Sequence, residues 1–313
     1  MRIKGYKRVL WWVTLLCGCS DTVVEKSMVT PISLQAEVVG LESISRSTEI
    51  VKGTSMIGKR AAVYFSLEDG IYNHEPLAPT YLPFRTEVTY LEGSTTVYKD
   101  QENMLYPLTY PMTEDFVYCV GLYPAMGWEI SDDCSTVSRV LDGKTDLMFA
   151  PQIRGTWQAP LSSQVYQHLL TWVNVTIRAM SEDVEKYWGK LTSVQFVNPS
   201  SKISIKLGDG VVIGDTKPEH LEMLTEQLPL KITIQDLGYV LCAPANTYKL
   251  LIKTEKQQRE VTVALKHLDG SVFTGDAKGK QFILNLYFYP FNVVEAESFL
   301  IPWNEQNEDL ELK

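Results

Sequence analysis

The chain of 313 residues is 45% hydrophobic and 21% charged, which excludes a disordered protein and allows one or two ordinary cores. The formal net charge is −9, and no strong basic patch follows residue 8, so a general nucleic-acid-binding surface is excluded. The 16 Tyr, 10 Phe and 7 Trp residues suit pleated, half-buried surfaces and favour a β-rich fold.

The first 18 residues have the composition of a secretion signal. Cationic side chains at Arg2, Lys4, Lys7 and Arg8 precede an apolar run over residues 9–16. That run is too short to span a bilayer as a helix. We therefore predict that residues 1–18 are a signal peptide removed during export.

The end of the apolar run, Leu16-Cys17-Gly18-Cys19, resembles a bacterial lipobox. A lipobox is cleaved after its small residue, and the next cysteine sulfur receives a diacylglycerol. Two or three acyl chains anchor a protein stably, since each buried CH₂ contributes about 0.8 kcal/mol. The resemblance implies an outer-membrane anchor at Cys19, and loss of four cations and no acids lowers the net charge from −9 to −13. The alternative is that two cysteines follow an ordinary secretion signal by chance.

Three thiols remain after Cys19, namely Cys119, Cys134 and Cys242. An odd number in an oxidising compartment allows one disulfide and leaves one free thiol. A bond between Cys119 and Cys134 would close a loop of about 15 residues and contribute roughly 3 kcal/mol. The alternative is that all three pack as small apolar side chains.

The N-terminal half is predicted to form short strands with irregular connections. The first is Ser33–Val39, and the connector 40–52 that follows it contains Arg46. Five prolines between residues 76 and 111 disfavour a sustained helix. The next strands are predicted over residues 61–67, Arg85–Leu91, Thr95–Tyr98 and Phe116–Tyr123, with a hairpin turn at 92–94.

The middle of the chain has the composition of a linker. A short apolar run over Asp146–Ala150 is closed by Pro151, and Trp172–Met180 alternates apolar and polar residues. Between them lie glycine, proline and two serines within residues 155–163. These features predict a boundary near residue 158, with one domain over 19–158 and a second over 159–313.

The C-terminal half is predicted to be a β-sandwich, because strands recur about every ten residues with turn residues between them. The glycine-rich sequence at 208–214 lies between alternating strands, which indicates a hairpin turn rather than a phosphate loop. One or two short helices are predicted, with Ser181–Lys190 and Pro218–Leu228 as the candidates. Alternation is seen at 173–177, 203–207, 248–252, 261–265 and 282–288, where Pro290 ends the last strand.

No catalytic, cofactor or metal motif emerges from the sequence. The four histidines are scattered, and neither an H-E-x-x-H nor a C-x-x-C spacing is present, so no metal ligands are predicted. A G-x-S-x-G elbow and a phosphate-binding loop are also missing. Paired carboxylates of a glycosidase stay open as an alternative, although Asp132-Asp133 and Glu305–Glu311 suit a solvated surface.

Several short motifs occur in a characteristic order along the mature chain. They are the lipobox at Cys19, the strand 116–124 ending in Leu-Tyr-Pro, the run TDLMFA at 145–150 with Tyr166-Gln167-His168, and the passages 279–286 and Ile301-Pro302-Trp303. Together they resemble the Bacteroidales fimbrillins, which are subunits of surface fimbriae, and the resemblance covers most of the mature chain. It implies two tandem transthyretin-like β-sandwich domains and no enzymatic activity. His168 stands where fimbrillins commonly carry a histidine, and we expect it to be structural.

The resemblance also implies assembly by strand donation between subunits. In this family an arginine-specific protease removes an N-terminal strand, and a strand from a neighbouring subunit fills the groove left behind. Arg46 is the only basic residue between Lys26 and Lys52, so cleavage is predicted between Arg46 and Ser47. The alternative is that Arg46 is an exposed surface arginine.

Only ten residues follow Trp303, whereas a stalk subunit needs a longer C-terminal strand to donate. We therefore expect a tip or accessory subunit, or a subunit that donates Phe299–Leu312. The predicted function is a structural or adhesive subunit of a fimbrium, with other subunits and a host or bacterial surface ligand as partners. Two alternatives stay open: a surface lipoprotein that binds carbohydrate or another nutrient through exposed Trp and Tyr, and a secreted hydrolase.

Overall fold

The computed structural model describes residues 30–39, 55–72, 84–99, 106–197, 200–214, 220–223 and 226–301. The regular secondary structure in these ranges is almost entirely β-strand, with one helix, α1 (Val184–Trp188), and a 3-10 turn at Pro290–Asn292. The predicted all-β class is confirmed, as is the helix predicted within Ser181–Lys190. In the described ranges no helix is long and apolar enough to cross a membrane.

Twenty strands are formed by the described residues, and they make five sheets. Those of the first half are β1 (Ser33–Leu34), β2 (Ala36–Val38), β3 (Arg60–Ser66), β4 (Arg85–Thr89), β5 (Thr95–Thr96), β6 (Val117–Tyr123), β7 (Glu129–Ile130), β8 (Thr136–Val140), β9 (Met148–Gly155) and β10 (Gln164–His168). Those of the second half are β11 (Thr171–Ala179), β12 (Leu191–Val197), β13 (Lys202–Lys206), β14 (Val212–Gly214), β15 (Leu221–Glu222), β16 (Gln235–Cys242), β17 (Thr247–Thr254), β18 (Gln258–Ala264), β19 (Gln281–Tyr289) and β20 (Val293–Ile301).

A six-stranded sheet in the order β2-β10-β9-β6-β3-β4 is the centre of the first half. Both of its faces are covered, because Ala61 and Val63 join one apolar cluster while Ala62 and Tyr64 join another on the opposite face. This burial on two sides explains why β3 and β6 are continuous apolar runs instead of alternating ones. The first cluster lies against the segment that contains β1 and β2, and the second lies against the sheet β14-β13-β8-β7.

The second half forms a sandwich of two four-stranded sheets. One has the order β16-β11-β19-β20 and the other β15-β12-β17-β18. The alternation predicted for β11 and β19 is confirmed, since every second side chain of each enters the core. The residues concerned are Val173, Val175 and Ile177 on β11 and Phe282, Leu284, Leu286 and Phe288 on β19.

Strand pairing crosses the predicted domain boundary near residue 158 in two places. Strand β10 follows that residue, but it pairs antiparallel with β9 and parallel with β2 in the first sheet. The hairpin of β13 and β14, with its turn at Gly208–Gly210 as predicted, pairs with β8 from the first half. The domain boundary near residue 158 stays a prediction. Two domains divided at that residue would share two sheets.

Two strand predictions are wrong in their pairing or extent. Strands β4 and β5 do not form the predicted hairpin, because β4 pairs with β3 whereas β5 pairs with β1 in another sheet. Gly93 lies between the two strands with a φ of +76°, which suits glycine, and Thr86 Oγ1 still donates to Tyr98 O at 3.2 Å. Strand β9 continues past Pro151 to Gly155, because a register shift between Cys119 and Gly121 of β6 accommodates the proline.

Among the described residues, neither a helix within Pro218–Leu228 nor the disulfide is observed. Leu221–Glu222, inside the region predicted as helical, forms β15 and pairs with Phe196 and Gln195 of β12. Leu221 is buried in the second core, so packing outweighs the local helical pattern. Among the thiols, Cys119, Cys134 and Cys242 are all free and buried, as the alternative reading of three packed cysteines expected.

Candidate functional site

The N-terminal segment 30–39 passes from one sheet to another and is hydrogen-bonded on both sides. Its first part pairs with β5 through Ser33 and Leu34, and Ile32 N donates to Leu108 O at 2.7 Å. Its second part, β2, runs parallel to β10, where Gln164 N donates to Gln35 O and Val39 N donates to Tyr166 O, both at 2.8 Å. The segment therefore supplies backbone partners to two different parts of the first sandwich.

Three side chains of this segment fill the first core. Ile32 and Leu34 have no exposed surface and Val38 is 3% exposed, whereas Gln35 and Glu37 between them face solvent. Full burial of such a side chain contributes about 1.5–3 kcal/mol. The sum for three residues is comparable with the total stability of a typical domain, about 5–15 kcal/mol. Loss of the segment would leave an apolar groove in the first core.

A buried polar network lies in the same core cluster as Ile32, Leu34 and Val38. Tyr90 Oη lies 3.0 Å from Tyr166 Oη and donates to Gln164 Oε1. Gln164 Nε2 in turn donates to Cys119 Sγ at 3.7 Å. Burial raises the pKa of both phenols and of the Cys119 thiol, so all stay neutral. The polar atoms of the network bond to one another. We therefore interpret the network as a structural support and not as an acid–base centre.

The close approach of β6 to this network depends on a glycine. A Cβ placed on Gly121 would lie 2.2 Å from Tyr166 Oη and 3.1 Å from Gln164 Nε2. Any side chain there would displace a tyrosine whose surface is wholly buried. None of the network residues was singled out from the sequence as a support of the groove. The only available signal was the alternation of Gln164, Tyr166 and His168 along β10.

The described residues that flank the predicted cleavage site lie at the surface. Val39 is 49% exposed, and Ser55, the next described residue, is exposed and bridges to Glu37. Arg46 and Ser47 belong to the stretch between them and lie outside the described residues, as does Cys19. The lipidation and cleavage predictions therefore stay predictions.

His168 is held in the interior by an acid. Its Nδ1 lies 3.0 Å from Asp146 Oδ1 and 2.9 Å from Asp146 Oδ2, and both side chains are buried. This arrangement agrees with the structural role expected for His168, because the pair lies inside the fold between β9 and β10. No group of three His, Cys, Asp or Glu side chains able to hold a metal occurs among the described residues.

The predicted donor segment Phe299–Leu312 begins inside a paired strand. Phe299, Leu300 and Ile301 pair with Ile283, Phe282 and Gln281 of β19. In addition, Leu300 N donates to Lys266 O at 2.7 Å, and Ile301 is 4% exposed. These three residues complete the chain's own sandwich, and residues 302–312 lie outside the described residues, so donation of Phe299–Leu312 stays a prediction.

Comparisons with known proteins identify the fold and not a family. No family model matches the chain, and no curated protein is significantly similar to it. A crystal structure from Bacteroides uniformis ATCC 8492 is 15% identical and covers 88% of this chain and 98% of its own, with a TM-score of 0.54. A second, from Bacteroides ovatus ATCC 8483, is 14% identical and covers 87% of this chain and 99% of its own, with a TM-score of 0.52. Both are described as a "putative cell adhesion protein".

Proposed function

We propose that this protein is a structural or adhesive subunit of a cell-surface fimbrium, without enzymatic activity, that is anchored by lipid at Cys19 and assembled by strand donation. The observation that carries the proposal is the N-terminal segment 30–39, which fills the first core while the chain after it runs to the surface. The fimbrillin-like motifs and the cell adhesion descriptions of the two similar folds support the same function.

The physical mechanism is β-augmentation. A sandwich that loses segment 30–39 exposes the backbone groups of Leu108, Gln164 and Tyr166 and the cavity left by Ile32 and Leu34. An extended strand from another subunit restores both the hydrogen bonds and the buried side chains. Because the segment is held on both sides, cleavage at Arg46 alone leaves it bound, and displacement by the incoming strand completes the exchange.

Digestion with an arginine-specific protease, followed by exchange of a labelled peptide, tests this proposal. We expect a fragment that begins at Ser47, keeps its β-type circular dichroism and captures a fluorescent peptide with the sequence of residues 30–39. The cleaved protein should then form multimers that resist sodium dodecyl sulfate. Arg46→Ala protein should stay uncleaved and monomeric and should not take up the peptide.

The matched control is a peptide in which Leu34 is replaced by aspartate. It keeps the backbone donors and acceptors but places a charge in the apolar groove, so it should not be captured. A cleaved protein that unfolds, or one that stays monomeric at high concentration and ignores both peptides, would count against a polymerising subunit.

A further inference from the structure

The loop between β9 and β10 is a closed turn that presents an aromatic ring at the surface. Thr156 N donates to Ala159 O at 2.8 Å, and Ala159 N donates to Thr156 Oγ1 at 3.1 Å. The loop packs tightly on the end of β9, because a Cβ placed on Gly155 would lie 2.4 Å from Leu161 N. Trp157 lies within this turn and is 42% exposed. Hydrogen bonds inside the turn therefore hold a large apolar ring in solvent.

A second exposed ring lies at the same end of the sheet, beside a cation. Val117, the first residue of β6, pairs with Gly155, the last residue of β9, so Phe116 lies at the edge where the loop begins. Phe116 is 40% exposed, and the guanidinium carbon of Arg154 lies 4.8 Å from the centre of its ring. A guanidinium group can combine such a ring contact with hydrogen bonds to phosphate oxygens.

The chain enters the first sandwich at this same end. Tyr110 N donates to Thr30 O at 3.1 Å, and Leu161 N donates to Tyr110 Oη at 2.8 Å, so Thr30 lies close to the loop that carries Trp157. Met112 follows Tyr110 by two residues and is 75% exposed. We use the name Trp157 patch for Met112, Phe116, Arg154 and Trp157.

The proposed anchor limits how far a bilayer can lie from this end of the molecule. Thr30 is the eleventh residue after Cys19, and eleven residues span at most about 40 Å when fully extended. Strand β9, with eight residues, is by itself about 27 Å long. Acyl chains on Cys19 would therefore hold the bilayer within about one and a half strand lengths of Thr30, close to the Trp157 patch.

We propose that the Trp157 patch lies on the surface of a phospholipid bilayer and orients the anchored subunit there, an inference that rests on the lipid anchor of the proposed function. Aromatic rings such as those of Trp157 and Phe116 favour the boundary between headgroups and acyl chains. The guanidinium group of Arg154 suits a lipid phosphate, while the stem of its side chain stays on apolar surface. Met112 adds an unbranched apolar side chain that adapts to an irregular surface.

The charges beside the patch determine which bilayer fits it. Glu114 and Asp115, both exposed, lie between Met112 and Phe116 in the chain. These carboxylates repel an anionic surface, and the net charge of −9 on the whole chain does the same. The expected partner is therefore a zwitterionic bilayer, which the patch contacts through its rings.

Flotation with phosphatidylcholine vesicles tests the proposal on the mature chain 19–313 that carries Cys19→Ala. This protein has no acyl chain, so its behaviour reports on the patch alone, whereas metabolic labelling of the precursor reports on the anchor. We expect it to float with the vesicles and to bind no better when phosphatidylglycerol is added. Trp157→Ala and Phe116→Ala should each lower the partition coefficient about tenfold.

Two control variants separate the patch from other exposed rings and from effects on folding. Phe291→Ala removes a ring that is 76% exposed in the second sandwich, and it should leave partitioning unchanged. Trp157→Phe keeps an aromatic ring and should bind within about twofold of wild type, but it should lose the part of the tryptophan fluorescence that brominated lipids quench. Equal unfolding temperatures of Trp157→Ala and Trp157→Phe protein would exclude a general loss of structure.

Several outcomes would overturn the proposal. One is that no protein floats, and another is that only vesicles with phosphatidylglycerol bind. A third is that Phe291→Ala weakens partitioning as much as Trp157→Ala does. The last is a dimer in sedimentation equilibrium that Trp157→Ala dissociates, because the patch would then be covered by a second copy of the chain and not by lipid.

Discussion

His168 Nδ1 lies 2.9 Å from Asp146 Oδ2, although the two residues stand on opposite sides of the predicted domain boundary. The pair is buried where β9 and β10 meet, so the second half of the chain completes a sheet of the first. The hairpin β13–β14 adds a further link through its pairing with β8, and Lys202 Nζ lies 2.7 Å from Glu129 Oε2. The two halves are joined by backbone pairing in addition to their covalent linker.

A cut in the linker should therefore not separate the halves. Trp157 is 42% exposed in the loop between β9 and β10, so chymotrypsin is expected to cleave after it. The nicked protein should elute as one species in size-exclusion chromatography while giving two bands after denaturation. Trp157→Ala protein should resist this cut. Separation of the two fragments without denaturant would show that the shared sheets do not hold them together.

The close contact between Gly121 of β6 and Tyr166 predicts that one added methyl group will lower the stability of the fold. Gly121→Ala places a carbon 2.2 Å from Tyr166 Oη, and such overpacking is expected to lower the free energy of unfolding by about 1–3 kcal/mol or more. Urea denaturation measures the change. Tyr166→Leu in the same protein should recover part of the loss, because it removes the colliding ring. Additive effects of the two substitutions would mean that the residues do not collide.

Buried thiols predict a loss of stability in alkali. Burial raises the pKa of Cys242 from 9.0 to about 12, so above pH 9 the unfolded chain loses this proton before the folded one does. The contribution of the protonated thiol to the free energy of unfolding is fully present below pH 9 and declines as the pH rises towards 12. Cys242→Ala should reduce the slope of unfolding free energy against pH by up to about 1.4 kcal/mol per pH unit. An unchanged slope between pH 9 and 11 would contradict the assignment.

Lipid attachment is expected to depend on one of two neighbouring cysteines. Cys19→Ala should abolish incorporation of a palmitate analogue and release or stall the precursor, because the proposed diacylglycerol would have no sulfur to attach to. Cys17→Ala serves as the control and should be labelled normally. Undiminished labelling of Cys19→Ala protein would exclude the anchor.

The sequence by itself determined where about half of the strands lie and, for the alternating ones, which side is buried. The alternation in Phe282–Phe288 and Val173–Ile177, the turn at Gly208–Gly210 and the helix after Ser181 depend on neighbouring residues alone. Such patterns follow from the two-residue period of a strand or from local turn chemistry, so they can be recognised in the sequence without knowledge of the fold.

Only the tertiary structure decided which strands pair. Neighbours in sequence such as β4 and β5 enter different sheets, and Leu221 forms a strand in a stretch with a helical pattern. The buried network of Tyr90, Gln164 and Tyr166 likewise depends on side chains far away in the sequence. Pairing and burial are set by backbone hydrogen bonds and packing between segments that are distant in the sequence. A local pattern carries no information about which distant segment will pair with a strand or pack against it.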